Sequence, residues 1–160
     1  LIGPDGHITA IECVPRFADA ASGNLHHLKN VTVVQGDGCD DDQAAADVIL
    51  VNAGVAAPAS NWLDRLTIGG RLLMPLTNAS RRGPVLLITR CERGFQADAL
   101  TNIEIFSCEG ARGKEASALL QVALWKEPAT SIRSLRRDRH DATEHCWLHA
   151  GDFCLSKQAL

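Results

Sequence analysis

The sequence predicts an α/β fold in which a mostly parallel sheet passes into antiparallel strands toward the C-terminus. Three observations carry this. Up to Leu76, β-branched runs alternate with helical ones, the rhythm of βα units. Between Val85 and Cys108, three strand-like runs follow one another across short Gly- or Asn-containing links, too short for the crossover that parallel strands need. And 160 residues, 46% hydrophobic and 22% charged, suffice for one core, with roughly 70% of the unfolded chain's surface buried. That composition excludes a disordered tail, a collagen-like repeat and a disulfide-stapled miniprotein. No apolar run reaches the ~20 residues of a membrane span. With 16 Lys plus Arg against 19 Asp plus Glu, the net charge of −3 gives no basic field for duplex nucleic acid.

The elements follow in order. The chain opens at Leu1 rather than Met, just before a Gly3-Pro4-Asp5-Gly6 turn, so its true N-terminus is expected to lie upstream and a missing signal peptide says little. His7–Glu12 alternates and reads as a strand ending on a carboxylate. Pro15 suits a first helical turn, with Phe17, Ala18, Ala21, Leu25 and Leu28 at helical spacing. Val31–Gln35 is a second strand, closed by Gly36-Asp37-Gly38, and Asp47–Asn52 a third whose apolar centre predicts burial on both faces. Ser60–Leu66 is a short helix capped by Ser60 or Asn61. Gly69-Gly70 leads into Arg71–Leu76, and Val85–Cys91, Phe95–Leu100 and Ile103–Cys108 are the antiparallel strands. Lys114–Trp125 is an amphipathic helix with Ala116, Leu119, Leu120, Ala123 and Leu124 on one stripe, stopped at Glu127-Pro128. Arg-rich Ser131–His145 reads as a linker or solvated segment before a hairpin, Cys146–Leu155, turning near Gly151-Asp152. The six cysteines are scattered and sit mostly in apolar runs, as buried thiols in a reducing, cytoplasmic compartment would.

Ligands of open parallel sheets sit beyond the carboxyl ends of the strands. Three such ends carry polar or Gly-rich residues: Glu12, Asp37-Gly38 and Asn52-Ala53-Gly54. Glu12 is an acceptor suited to a ribose diol, and Asp37 to an exocyclic amine or to shaping the loop that reads an adenine edge. Gly36 and Gly38 permit close approach of a flat ring, and Asn52 and Gly54 would border the cleft floor. Each residue also has an ordinary use as a cap or turn, so together they indicate, without fixing, a nucleoside site.

In this order and with these gaps, the run from Gly6 to about Glu127 resembles the second half of a protein-L-isoaspartate O-methyltransferase, a family that uses S-adenosylmethionine on a Rossmann-like sheet. The resemblance lies in Ile11-Glu12 with Ala18 and Ala21, Val34-Gln35-Gly36-Asp37-Gly38, and Asp47-Val48-Ile49-Leu50-Val51. It continues through Pro58, Leu63, Leu66, Gly69-Gly70-Arg71-Leu72, Pro75, Leu86-Leu87-Ile88-Thr89-Arg90 and Gly94-Phe95. It implies that Glu12 takes the ribose hydroxyls, that Cys13 lies near the adenine, and that Asp37-Gly38 reads the adenine edge. Asn52, the remaining cofactor-side candidate, stands where the family commonly has Thr, which bears on substrate preference. The family's glycine-rich loop and its substrate-side Ser or Thr belong before Leu1, so this chain alone is expected to bind the cofactor poorly and to be inactive. Residues 1–128 are read as the incomplete methyltransferase domain, and 129–160 as a linker and hairpin extension with no catalytic role.

The implied reaction methylates an L-isoaspartyl or D-aspartyl carboxylate in damaged proteins. That nucleophile, of pKa about 4, is already ionised at pH 7, so no acid–base constellation is required and no catalytic residue is assigned. Rival readings have specific defects. Asp47–Gly54 resembles the Asn-Ala-Gly strand end of short-chain dehydrogenases, but those depend on a Tyr-x-x-x-Lys acid and the chain has no Tyr. His140, His145, Cys146, His149 and Cys154 cluster in the tail as zinc ligands do, yet strand alternation puts Cys146 and His149 on opposite faces, and no metal ligand is assigned. A methyltransferase-like interaction module that has lost its cofactor, docking through Arg133–Arg139, is the third alternative. Oligomeric state and the tail's purpose stay open.

Overall fold

The computed structural model describes residues 2–3, 5–39, 44–108 and 112–160; Pro4 of the expected opening turn lies outside the described residues. The chain divides into two compact units, Leu1–Asp42 and Gln43–Leu160.

The first unit is a βαβ element. β1 (Ile8–Glu12) and β2 (Val31–Gln35) pair in parallel from Ile8 opposite Val31 to Glu12 opposite Gln35. Between them runs α1 (Pro15–Leu25), with Pro in its first turn, where its missing N–H costs no helical bond. The helix ends before the predicted stripe does, because Leu28 N–H turns back onto the Leu25 carbonyl at 2.9 Å and His26 Nδ1 takes the Gly23 carbonyl at 2.7 Å. Of the stripe only Ala18 is buried; Phe17 and Leu28 are exposed.

The second unit is a seven-stranded sheet. Its strands are β3 (Ala46–Leu50), β4 (Leu66–Pro75), β5 (Arg82–Cys91), β6 (Gly94–Glu104), β7 (Ser134–Arg136), β8 (Cys146–Ala150) and β9 (Phe153–Ser156), in the spatial order β3-β4-β5-β6-β7-β9-β8. The β3–β4 pair is parallel and every later pair antiparallel. α2 (Ser60–Arg65) and α3 (Lys114–Lys126) accompany the sheet. One face carries the core: Leu72, Met74, Leu86, Ile88, Leu135 and Leu155 are fully buried. They alternate along their strands as the pleat requires, and each contributes roughly 1.5–3 kcal/mol by burial.

Several expectations need correction. β3 is an edge strand of its sheet, and Val48 and Leu50 are exposed rather than buried on both faces. α2 is capped by Ala59 without a side-chain bond, so neither Ser60 nor Asn61 is its cap. β4 begins at Leu66, and Gly69-Gly70 lies inside it: Ala46 pairs with Leu66 but Val48 already with Arg71. Gly69 absorbs this irregularity with φ +81°. The run Phe95–Leu100 and the first two residues of Ile103–Cys108 are one strand, β6, which ends at Glu104 and whose ladder with β5 jumps between Val85 opposite Thr101 and Leu86 opposite Ala99. Leu100 is the extra residue of that bulge, and the apparent turn at Thr101-Asn102 is continuous strand.

Ser131–His145 is not a solvated linker throughout. Ile132, Ser134 and Leu135 are buried, and β7 joins β6 to β9. Two of its arginines are spent on ion pairs, Arg136 with Asp138 and Arg137 with Asp64. The predicted hairpin forms, with Trp147 and Phe153 buried. Its strands are out of simple alternation, however: Cys146 faces Ser156 while Leu148 faces Leu155, so Trp147 is an extra residue. This bulge cancels the alternation that placed Cys146 and His149 on opposite faces. The six cysteines form no disulfide, but only Cys154 is buried. No helix among the described residues is long and apolar enough to cross a membrane.

Candidate functional site

The carboxyl end of the β1–β2 pair brings Glu12 and Asp37 to adjoining positions. Glu12 is the last residue of β1 and lies opposite Gln35, two residues before Asp37. The Gly36 N–H donates to the Glu12 carbonyl at 3.1 Å, which extends the ladder one step and anchors the Gly36-Asp37-Gly38 loop to the end of β1. Both acidic side chains are half-buried.

Each carboxylate spends one oxygen on local structure. Glu12 Oε1 accepts the Val14 N–H at 2.8 Å and faces the Cys13 thiol at 3.6 Å, shaping the entry to α1. Asp37 Oδ1 accepts the Cys39 N–H at 2.9 Å, an Asx turn that sets the loop. Among the described residues neither carboxylate has a cationic partner, and among them the second oxygen of each accepts no hydrogen bond. Two acceptor-only groups at one strand end suit a ligand rich in hydroxyl and amine donors.

Among the described residues nothing demands a glycine at either position of this loop. Neither Gly36 nor Gly38 has a positive φ; a Cβ on Gly36 would meet open space, and one on Gly38 only ordinary contact with Ile11 at 3.8 Å. Cys13, exposed, stands beside Glu12.

The remaining strand end behaves differently. Asn52, in the second unit, is exposed, one residue past the Val51 N–H bond to the Leu73 carbonyl at 2.9 Å. Gly54 is buried for a packing reason, since a Cβ there would stand 2.2 Å from Thr77 Oγ1. Its carbonyl is held by Arg112 Nη1 at 3.2 Å, and the same guanidinium donates to Thr77 Oγ1 and to the Thr77 carbonyl, each at 3.1 Å. Packing against Thr77 is therefore a structural reason for glycine at position 54. The sequence carries no sign of this clamp, because a lone Arg before a helix has no motif.

A sequence profile of the family described as Protein-L-isoaspartate(D-aspartate) O-methyltransferase (PCMT) matches residues 1–106. The chain belongs to that family. A protein-L-isoaspartate O-methyltransferase of Rhodopseudomonas palustris is 31% identical over 136 residues, covering 82% of this chain and 57% of its own length. One of Ignicoccus hospitalis is 38% identical over 80 residues, 48% of this chain and 38% of the relative. The chain thus spans about half the length of the curated relatives it matches. Two solved structures share the fold: a putative protein-L-isoaspartate O-methyltransferase from Plasmodium falciparum in complex with S-adenosyl-L-homocysteine, and a further protein-L-isoaspartate O-methyltransferase. The first has a TM-score of 0.57 at 17% identity, over 64% of this chain and 52% of that one. The second has a TM-score of 0.61 at 23% identity, over 86% and 42%. The Rossmann-like α/β expectation agrees with both.

Proposed function

We propose that this chain carries the adenosine-binding edge of an S-adenosylmethionine-dependent methyltransferase, and that the whole protein methylates isoaspartyl or D-aspartyl carboxylates in damaged proteins. One observation supports this above the others: in a chain of this family, Glu12 and Asp37 adjoin at a parallel-strand carboxyl end, where, among the described residues, each keeps an oxygen without a hydrogen bond and nothing crowds Gly36 or Gly38. Glu12 would hold the ribose hydroxyls, with Cys13 beside the adenine and the Asp37-Gly38 loop along its edge. Gly36 and Gly38 keep clear the face on which the ring lies. Asn52 is kept as a substrate-side or cofactor-side position of the second unit.

When bound, S-adenosylmethionine supplies a methyl group on a positively charged sulfonium, a leaving group that needs no protonation. The protein's task is to orient the donor, align the acceptor carboxylate and exclude water, effects worth several kcal/mol. No residue of the chain has to move a proton. The dehydrogenase alternative gives way to the family match over residues 1–106. We place the protein in a reducing, cytoplasmic setting on the scatter of its six cysteines along the chain.

The test is methyl transfer by the full-length gene product to an isoaspartyl peptide and to its normal aspartyl twin. Transfer to the first alone is expected; equal transfer to both, or to neither, overturns the substrate assignment.

A further inference from the structure

At the far strand of the second unit's sheet, four ligand atoms from His140, Cys146, His149 and Cys154 lie within 4.8 Å of one another. We propose that these residues form a closed tetrahedral zinc site that ties the β8–β9 hairpin to the segment leaving β7.

The distances suit the ion. Zinc–sulfur bonds of about 2.3 Å and zinc–nitrogen bonds of about 2.0–2.1 Å put neighbouring ligands of a tetrahedron roughly 3.3–3.8 Å apart. Cys146 Sγ lies 3.6 Å from His140 Nε2 and 3.9 Å from His149 Nδ1. The widest separation, 4.8 Å, closes with a contraction of about 1 Å. The β8 bulge at Trp147 makes this possible, by turning Cys146 to the side occupied by His149, while His149 pairs directly with Cys154 across the hairpin. Simple alternation would have split the set.

The surroundings are those of a ligand set. His140 Nδ1 bonds the Asp138 carbonyl at 2.9 Å; since a carbonyl only accepts, Nδ1 carries the proton and Nε2 offers its lone pair to the cluster. Asp138 is fixed in turn by Arg136, whose Nε and Nη2 reach its carboxylate at 2.9 and 2.6 Å. Cys146 Sγ accepts the Thr143 N–H at 3.4 Å, the type of bond that steadies a thiolate. Binding sends the two thiol protons to solvent, and two thiolates then neutralise the dication, so the half-buried site carries no net charge. Sulfur and imidazole in a tetrahedron select zinc over magnesium or calcium. With all four positions taken by protein, the centre is structural rather than catalytic. A cleft of about 540 Å³, lined by Asp138, His140, Asp141, His149 and Phe153 among others, opens beside the two imidazoles.

The experiment titrates the full chain, stripped of metal and kept reduced, with zinc alone and separately with cobalt(II). One ion per chain, a raised thermal midpoint, and a cobalt spectrum with thiolate charge-transfer and tetrahedral d–d bands are expected. Cys146→Ser and His140→Gln should each weaken zinc binding by at least about a hundredfold, given that outer-shell losses alone cost 10–100-fold. Cys91→Ser should bind like the parent. Substoichiometric uptake by the reduced parent, an octahedral cobalt spectrum, or parental affinity in Cys146→Ser overturns the site. So does a Cys146–Cys154 disulfide as the only product of air exposure together with no zinc uptake after reduction. If circular dichroism shows a variant unfolded, the parent's cobalt spectrum decides alone.

Discussion

Gly54 sits so close to Thr77 that a Cβ added to it would lie 2.2 Å from the Thr77 Oγ1 and 3.2 Å from both carbons of that side chain. Thr77 is fully buried and cannot yield, because Arg112 holds its hydroxyl and its carbonyl together. Gly54→Ala is therefore expected to destabilise the second unit by about 1–3 kcal/mol, the cost of overpacking. Urea unfolding of the two chains reads the difference directly; an unchanged midpoint would mean that Thr77 and Arg112 rearrange freely.

Gly36 and Gly38 should respond in the opposite way. Their φ angles are ordinary and a Cβ has room at both, so alanine there leaves stability unchanged or raises it by about 0.4–1 kcal/mol through the unfolded chain. In the whole protein the same methyl would occupy the space proposed for the adenine. Gly36→Ala is thus expected to keep its thermal midpoint while S-adenosylhomocysteine binding, followed calorimetrically, weakens several-fold. A loss of stability with unaltered binding would make the glycine structural.

The contrast between these glycines shows what was legible in the residues. Order and type of the elements in the first unit could be read from periodicity, since β1, α1 and β2 are local patterns closed by turn residues. The rim formed by Glu12 and Asp37 followed from the rule for parallel strands, without any knowledge of side-chain contacts. What failed were features decided by pairing partners far away in sequence. Leu100 and Trp147 are bulge residues, and a bulge leaves no compositional mark: it reversed the expected facing of Cys146 and His149 and merged two strands into β6. β7 was hidden because Ile132 and Leu135 stand amid arginines, two of which, Arg136 and Arg137, pair with Asp138 and Asp64. The exposure of Val48 and Leu50 depends on β3 lying at the edge of its sheet, a fact of topology rather than of hydropathy.

Glu12 has two duties, and substitutions can separate them. Its Oε1 accepts the Val14 N–H at 2.8 Å, and its other oxygen is assigned to the ligand. Glu12→Gln retains an acceptor for Val14 but forfeits the charge, so the entry to α1 should survive. Affinity of the whole protein for S-adenosylhomocysteine should fall by about 1–3 kcal/mol, the scale of a charged hydrogen bond. Glu12→Ala should lose the same binding energy and, in addition, lower the melting temperature through the vacated Val14 N–H. Calorimetry paired with thermal melts distinguishes the two, and undiminished affinity in both variants would remove Glu12 from the site.

Lys157 and Glu127 offer a test of the tail's attachment by pH. Lys157 Nζ donates to Glu127 Oε2 at 2.9 Å, while Trp147 Nε1 donates to the Glu127 carbonyl at 3.1 Å, so the pair joins the end of α3 to the strand β9 region. The Lys157 ammonium holds the Glu127 carboxyl below the usual carboxylate range, outweighing an opposing push from burial and aided by Ser131. A depressed acid stabilises the fold above its unfolded pKa, and that contribution disappears as pH falls through the folded value. Lys157→Met should accordingly melt lower than the parent at neutral pH, with the two curves converging on acidification below the ordinary carboxylate range. Because both groups are partly solvated, high salt should narrow the neutral-pH gap as well. Melting temperatures recorded across that range at two ionic strengths would show it, and a gap that persists in acid would assign Lys157's effect to packing of its stem instead of to its charge.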